Sequence, residues 1–105
     1  MSDDYVNIDL PGESHHRRGR LLAQVQPHES LPLLQIYDSF EYLLALKRHR
    51  DGGIEHQEVW RSDDPCDGRC LPVEARSEED IRNDLRRFFA GDPRTDAFVR
   101  DSPLR

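Results

Sequence analysis

The stretch SLPLLQIYDSFEYLLALKRHRDGG, residues 30–53, decides the fold, because it can be read in two ways. Taken as one helix from Leu31, it places Leu33, Tyr37, Phe40 and Leu44 on a single face. Taken as a strand followed by a helix, LLQIY is a short buried strand and Asp38-Ser39 cap the helix. Glu41 then completes a capping box. The second reading is preferred, since Asp and Ser suit a cap better than a helix interior. Either way the helix is expected to stop at Asp51-Gly52-Gly53, where glycine supplies a left-handed C-cap.

Upstream, YVNIDLPG alternates Val6, Ile8 and Leu10 against Tyr5, Asn7 and Asp9 before Pro11-Gly12 ends it. Alternation with period two is the mark of a half-buried strand. Residues 13–19 hold no apolar side chain and read as an exposed loop. RLLAQVQP resumes the alternation, with Leu21, Ala23 and Val25 on one face, up to Pro27. The two segments predict an antiparallel hairpin with a long basic tip.

Downstream, IEHQEVW sets Ile54, His56, Glu58 and Trp60 on one face and Glu55, Gln57 and Val59 on the other. Both faces are mixed, which suits a sheet edge or a strand lying against a partner. Residues 61–76 read as a long loop, with LPVEA at most a brief extended segment. SEEDIRNDLRRFFAGDP is the clearest helix: Ser77 caps it, and Glu78, Glu79 and Asp80 fill its positive first turn. Ile81, Leu85, Phe88 and Phe89 form its apolar stripe, and Gly91 with Pro93 stops it. TDAFVRD is expected to add one turn that docks Phe98 and Val99.

This order predicts a small α+β fold, a mainly antiparallel sheet of three to four strands covered by two helices. At 105 residues the chain is expected to form a single domain, residues 1–105, with 1–4 and 101–105 frayed. Leu, Ile, Val and Phe supply 25 of those residues, enough for a small core and above the level typical of disorder.

Charge narrows the function. The net charge of −6 argues against a dedicated DNA or RNA binder, which needs a concentrated cationic face. Two basic clusters remain, His15-His16-Arg17-Arg18-Gly19-Arg20 and Lys47-Arg48-His49-Arg50, and they carry the alternative reading of a nucleic-acid-associated factor. The first has no aromatic residue to stack a base. All basic residues but Lys47 are arginine, a usage that suggests a GC-rich bacterial genome. No apolar run approaches a membrane span. Two cysteines without an export signal point to a reducing cytoplasm.

Cys66 and Cys70 raise the one clear question of chemistry. Their C-x3-C spacing is permitted in a zinc site, whose second pair of ligands would have to come from His49 and His56, or from His56 with a ligand from outside the chain. A thioredoxin-type C-x-x-C is absent. The preferred reading is two free thiols in a loop, with a redox pair or a metal site as the alternatives, so that no metal and no cofactor are expected. Asp63, Asp64 and Asp67 break the ligand alternation of a calcium loop. Phosphate loops, nucleophile elbows and H-E-x-x-H are also absent. His56 and Glu58 share a strand face and are the nearest approach to an acid–base pair, so no catalytic residue is assigned and enzymatic activity is not favoured.

What remains is a small accessory or regulatory protein that binds another protein, or a second copy of itself. Its candidate interaction residues are Trp60, Glu58 and His56 on the mixed strand, with Arg17, Arg18 and Arg20 from the basic loop. Trp60 is the natural anchor, being large, apolar and placed where neither face suits full burial.

Overall fold

The computed structural model describes residues 4–62 and 75–104. Five strands, β1 (Tyr5–Ile8), β2 (Arg17–Val25), β3 (Leu33–Ser39), β4 (Tyr42–Arg48) and β5 (Ile54–Trp60), precede two helices, α1 (Glu78–Phe89) and α2 (Thr95–Asp101). The strands form one sheet in sequence order, with every neighbouring pair antiparallel. The class is α+β, with five strands where three to four were expected.

The fifth strand comes from residues 30–53, where both helical readings fail. Leu43, Leu44, Ala45 and Leu46 are all fully buried. Leu43 and Ala45 face the helices, while Leu44 and Leu46 join a separate cluster on the opposite face. A continuous apolar run buried on both sides belongs to a central strand, and helical periodicity cannot satisfy it. Asp38 and Ser39, expected to cap a helix, instead build a turn. Asp38 Oδ1 accepts the Phe40 N–H at 3.2 Å, and Ser39 Oγ donates to the Arg18 carbonyl at 2.6 Å. Such an Asp bond two residues ahead mimics a backbone turn.

Ser39 pairs with Tyr42, so the hairpin closes over only Phe40 and Glu41. Phe40 sits at φ 66°, a left-handed value that two-residue hairpins usually give to glycine. The ring compensates by stacking on Tyr5, with centroids 4.6 Å apart and planes at 4°.

Alternation in β2 is interrupted by a bulge between Leu21 and Ala23. It turns Leu22, together with Ala23 and Val25, toward the helix-side core and leaves Leu21 exposed, so Leu21 does not share their face. β2 also starts earlier than expected, at Arg17, which brings Arg17 and Arg18 into the ladder with β1. Gly19 lies where Tyr37 crosses the strand; a Cβ there would come within 3.0 Å of the Tyr37 Cβ.

α1 lies over β4 and β5, and α2 over β2. Ser77 accepts the Asp80 N–H, with acidic residues in the first turn and Arg86 and Arg87 in the last. Of the expected stripe, Ile81, Leu85 and Phe89 are buried, whereas Phe88 stays half-buried beneath Lys47, whose ammonium is 4.7 Å from the ring centre. Phe98 and Val99 of α2 enter the same core. After α2, Ser102 and Leu104 are buried, and Ser102 Oγ donates to the Phe98 carbonyl. Arg94 fastens the helical pair to the sheet. It donates to the Gln26 and Pro32 carbonyls, both at 2.6 Å, while Asp92 holds its guanidinium.

Two consequences can be measured. Phe89→Ala should cost about 3–5 kcal/mol in urea denaturation, most of a small domain's stability, and Phe88→Ala only about 1. Equal losses would place both rings in the core. The Arg94 hydrogen bond holds the Asp92 carboxyl below its ordinary value of 3.8. Its stabilisation is therefore complete above that value and fades as pH falls through the lowered one. Asp92→Asn should lower the urea midpoint at pH 6, and the gap to wild type should narrow as the pH falls below 3.8. A gap that stayed constant would show that the charge plays no part.

Candidate functional site

Strand alternation divides the sequence-predicted residues between the two faces of the sheet. Ile54, His56, Glu58 and Trp60 lie on the face opposite the helices, together with Tyr42, Leu44 and Leu46 across the β4–β5 ladder. Arg17, opposite Ile8 on β1, reaches the same face. Arg20 falls on the helix face and approaches Asp38 Oδ2 at 3.6 Å. Arg18 alternates with Arg17, is exposed, and does not join the Arg17 group.

The structure brings Arg17 onto Glu58. Its guanidinium bonds the Glu58 carboxylate, donates to Tyr42 Oη at 2.9 Å, and donates through Nε to Glu13 Oε1 at 2.8 Å. It also lies 5.8 Å from the centre of the Tyr42 ring. Tyr42 in turn packs on Trp60, with ring centroids 4.9 Å apart at 46°. Bonds from Glu58 and Tyr42 hold the guanidinium charged even more firmly than usual, and its bond to Glu13 lowers that carboxyl. Glu58 is thus committed to Arg17 rather than to His56, and His56 stands exposed beside it. Trp60 is half-buried against Tyr42, neither core nor free.

Beneath this group lies the second apolar cluster: Ile8, Leu10, Tyr37, Leu44 and Leu46, with Tyr42 and Ile54 against it. The segment after β1 supplies Leu10 and Glu13 and covers that face without a helix. Nothing in the local sequence announces this role; the only signal was the apolar spacing of Ile8 and Leu10.

Most other side chains of the two basic clusters also have partners within the chain. His16 meets Asp9, and Lys47 lies over Phe88. Arg48 Nε donates to Gln35 at 2.7 Å, and His49 bonds Glu55 at 2.6 Å, which lowers the Glu55 carboxyl. His49 and His56 alternate onto opposite faces of the sheet, so the histidine pair considered for zinc does not converge. Among the described residues no group of three metal-ligating side chains exists. Cys66 and Cys70, with Asp63, Asp64 and Asp67, lie outside the described residues. No helix among the described residues is long and apolar enough to cross a membrane.

The backbone of β5 is the remaining feature. The His49 N–H bonds the Gly53 carbonyl, and the Arg61 N–H bonds the Glu41 carbonyl. Carried along the β4–β5 register, these turn the polar groups of Glu55, Gln57 and Val59 inward and those of Ile54, His56, Glu58 and Trp60 outward. β5 ends the sheet, and among the described residues no strand pairs with its outer side. Among the described residues, the Trp60 carbonyl accepts from Arg76 Nη1 at 3.3 Å on that side. Compared with known protein families, curated proteins and solved structures, the chain matches none.

Arg17 is the side chain on which the exposed half of this site rests. Arg17→Ala should lower stability by about 1–2 kcal/mol in urea denaturation, since it releases Glu58, Glu13 and Tyr42 together. Trp60 emission should shift as Tyr42 loosens. A variant with unaltered stability and emission would mean the group is ordered by its neighbours without Arg17.

Proposed function

We propose that the chain is a small accessory or regulatory protein that works by binding another polypeptide along the outer edge of β5. The observation that carries this reading is the row of outward backbone groups at Ile54, His56 and Glu58, on a seven-residue strand with no proline and an unbroken register. An edge of this kind is a template for an added strand, in which main-chain bonds give affinity and alternate side chains give selectivity. Trp60 at one end supplies apolar contact, and Glu55, Glu58 and Arg61 discourage indiscriminate pairing. The opposite edge, β1, is only four residues long and offers much less.

This reading needs no metal, cofactor or catalytic step, and it fits the cytoplasmic compartment suggested by the cysteine content. The alternative of nucleic-acid association is less well supported. Arg17, Arg20 and Arg48 make ion pairs or hydrogen bonds within the chain, which leaves little cation density to displace counterions from a phosphate backbone.

His56→Pro tests the proposal with little effect on the fold. Its N–H points away from β4, so proline removes no ladder bond and blocks only what approaches from outside. A protein retained by the tagged wild type should be lost by His56→Pro. In the purified pair, the amides of His56 and Glu58 should exchange at least tenfold more slowly than in the free chain. Undiminished binding by the proline variant, or unaltered exchange at those amides, would refute the proposal.

A further inference from the structure

We infer that the polypeptide this edge accepts is a second copy of the chain, paired antiparallel through β5 about a twofold axis at Gln57. The inference rests on the reading of β5 as a binding edge, and adds the identity and register of the partner.

Backbone geometry restricts the registers. Only Ile54, His56, Glu58 and Trp60 turn their polar groups outward, so each must pair with one of the same set in the other copy. A slip of one residue sets outward groups against inward ones and loses the ladder. Three well-overlapped symmetric pairings survive, with their axes at His56, Gln57 or Glu58. The axis at Glu58 sets two carboxylates directly opposite, and like charges in that position are destabilising; the axis at His56 sets the two imidazoles opposite each other and leaves each Glu58 facing Ile54. Both also leave one end of the strand unpaired.

The axis at Gln57 uses the full strand, and its cross-strand pairs are complementary. His56 faces Glu58 of the second copy, and Glu58 faces the second His56. Ile54 faces Trp60, an aliphatic–aromatic pair of the kind that stabilises sheets, and the two Gln57 amides meet on the axis. Glu58 can take this neighbour while keeping Arg17, because a carboxylate has acceptor sites for both. The Trp60 carbonyl likewise has a second lone pair beside the one used by Arg76. Glu55, His56 and Gln57 are all exposed in the single chain, so no core has to open for the copies to meet. Twofold pairing is also the commonest symmetry of soluble assemblies. A strand-edge contact is small, so the dimer should dissociate in the micromolar range.

Light scattering of the wild type should show the mass doubling between about 1 and 500 µM. Cysteine cross-linking then reads the register, in chains with Cys66→Ser and Cys70→Ser. Gln57→Cys puts two thiols directly opposite in a pair without ladder bonds, about 4.5 Å apart at Cα, within disulfide reach. Mild oxidation should convert it to a linked dimer, at least tenfold faster than Glu55→Cys, which faces Val59. His56→Glu should weaken association at least tenfold without lowering the melting temperature. A wild type that stays monomeric throughout, or Glu55→Cys linking as fast as Gln57→Cys, overturns the inference. If the inference fails while His56→Pro still abolishes binding of a different protein, the edge-binding proposal survives with another partner. If that binding is also unchanged, both fall.

Discussion

The Asp38 carboxylate, little exposed at the end of β3, is the point on which the rest of the sheet is hung. Oδ1 accepts the Phe40 N–H and Arg61 Nη2, while Oδ2 accepts Tyr5 Oη and lies near Arg20. One side chain therefore joins β1, β2, β3, the turn into β4 and the residue that follows β5. Arg61 extends the link by donating to the Leu104 carbonyl, which pins the segment after α2. A carboxylate this sheltered is tolerated because both oxygens are occupied and two guanidinium groups balance its charge. The arrangement is not free of cost, since Arg61 Nη1 is buried without a partner among the described residues.

That node explains why the middle of the chain misleads a reader of sequence. Asp-Ser followed by Glu three residues after the Asp is a good helix start, and local propensity favours it. What overrides it is tertiary: Asp38 finds two arginines distant in sequence, and the leucines that follow find apolar partners on both sides of a sheet. Nothing within residues 38–50 reports either fact. α1 was legible because its signals are local, with a cap, charged turns and a stripe in one short stretch. α2 was legible from Phe98 and Val99, but the docking of Leu104 depends on Arg61 and could not be read. The bulge at Leu21–Ala23 likewise follows from fitting β2 against β3, not from β2 alone.

The candidate site divides in the same way. Mixed polarity on both faces of residues 54–60 marked an edge strand, and β5 is one. The Arg17–Glu58 contact spans 41 positions and was visible only as two separately chosen residues. Tyr42, which joins that pair to Trp60, was hidden inside the mistaken helix. The two edges of the sheet are also unequal, a long outer strand at one side and a short one at the other. An assembly built on β5 would present only the short edges at its ends, and so has little means of growing further.

Lys47 carries a separate consequence. It is the only lysine in the chain, and its ammonium rests on the Phe88 ring where α1 meets the sheet. Acetylation, or attachment of a modifier through an isopeptide bond, would find no other side-chain amine. Either would neutralise or replace the cation at that joint, so lysine chemistry on this protein can only act upon the seam between helix and sheet. The fourteen arginines elsewhere keep their charge whatever acylating enzyme the chain meets.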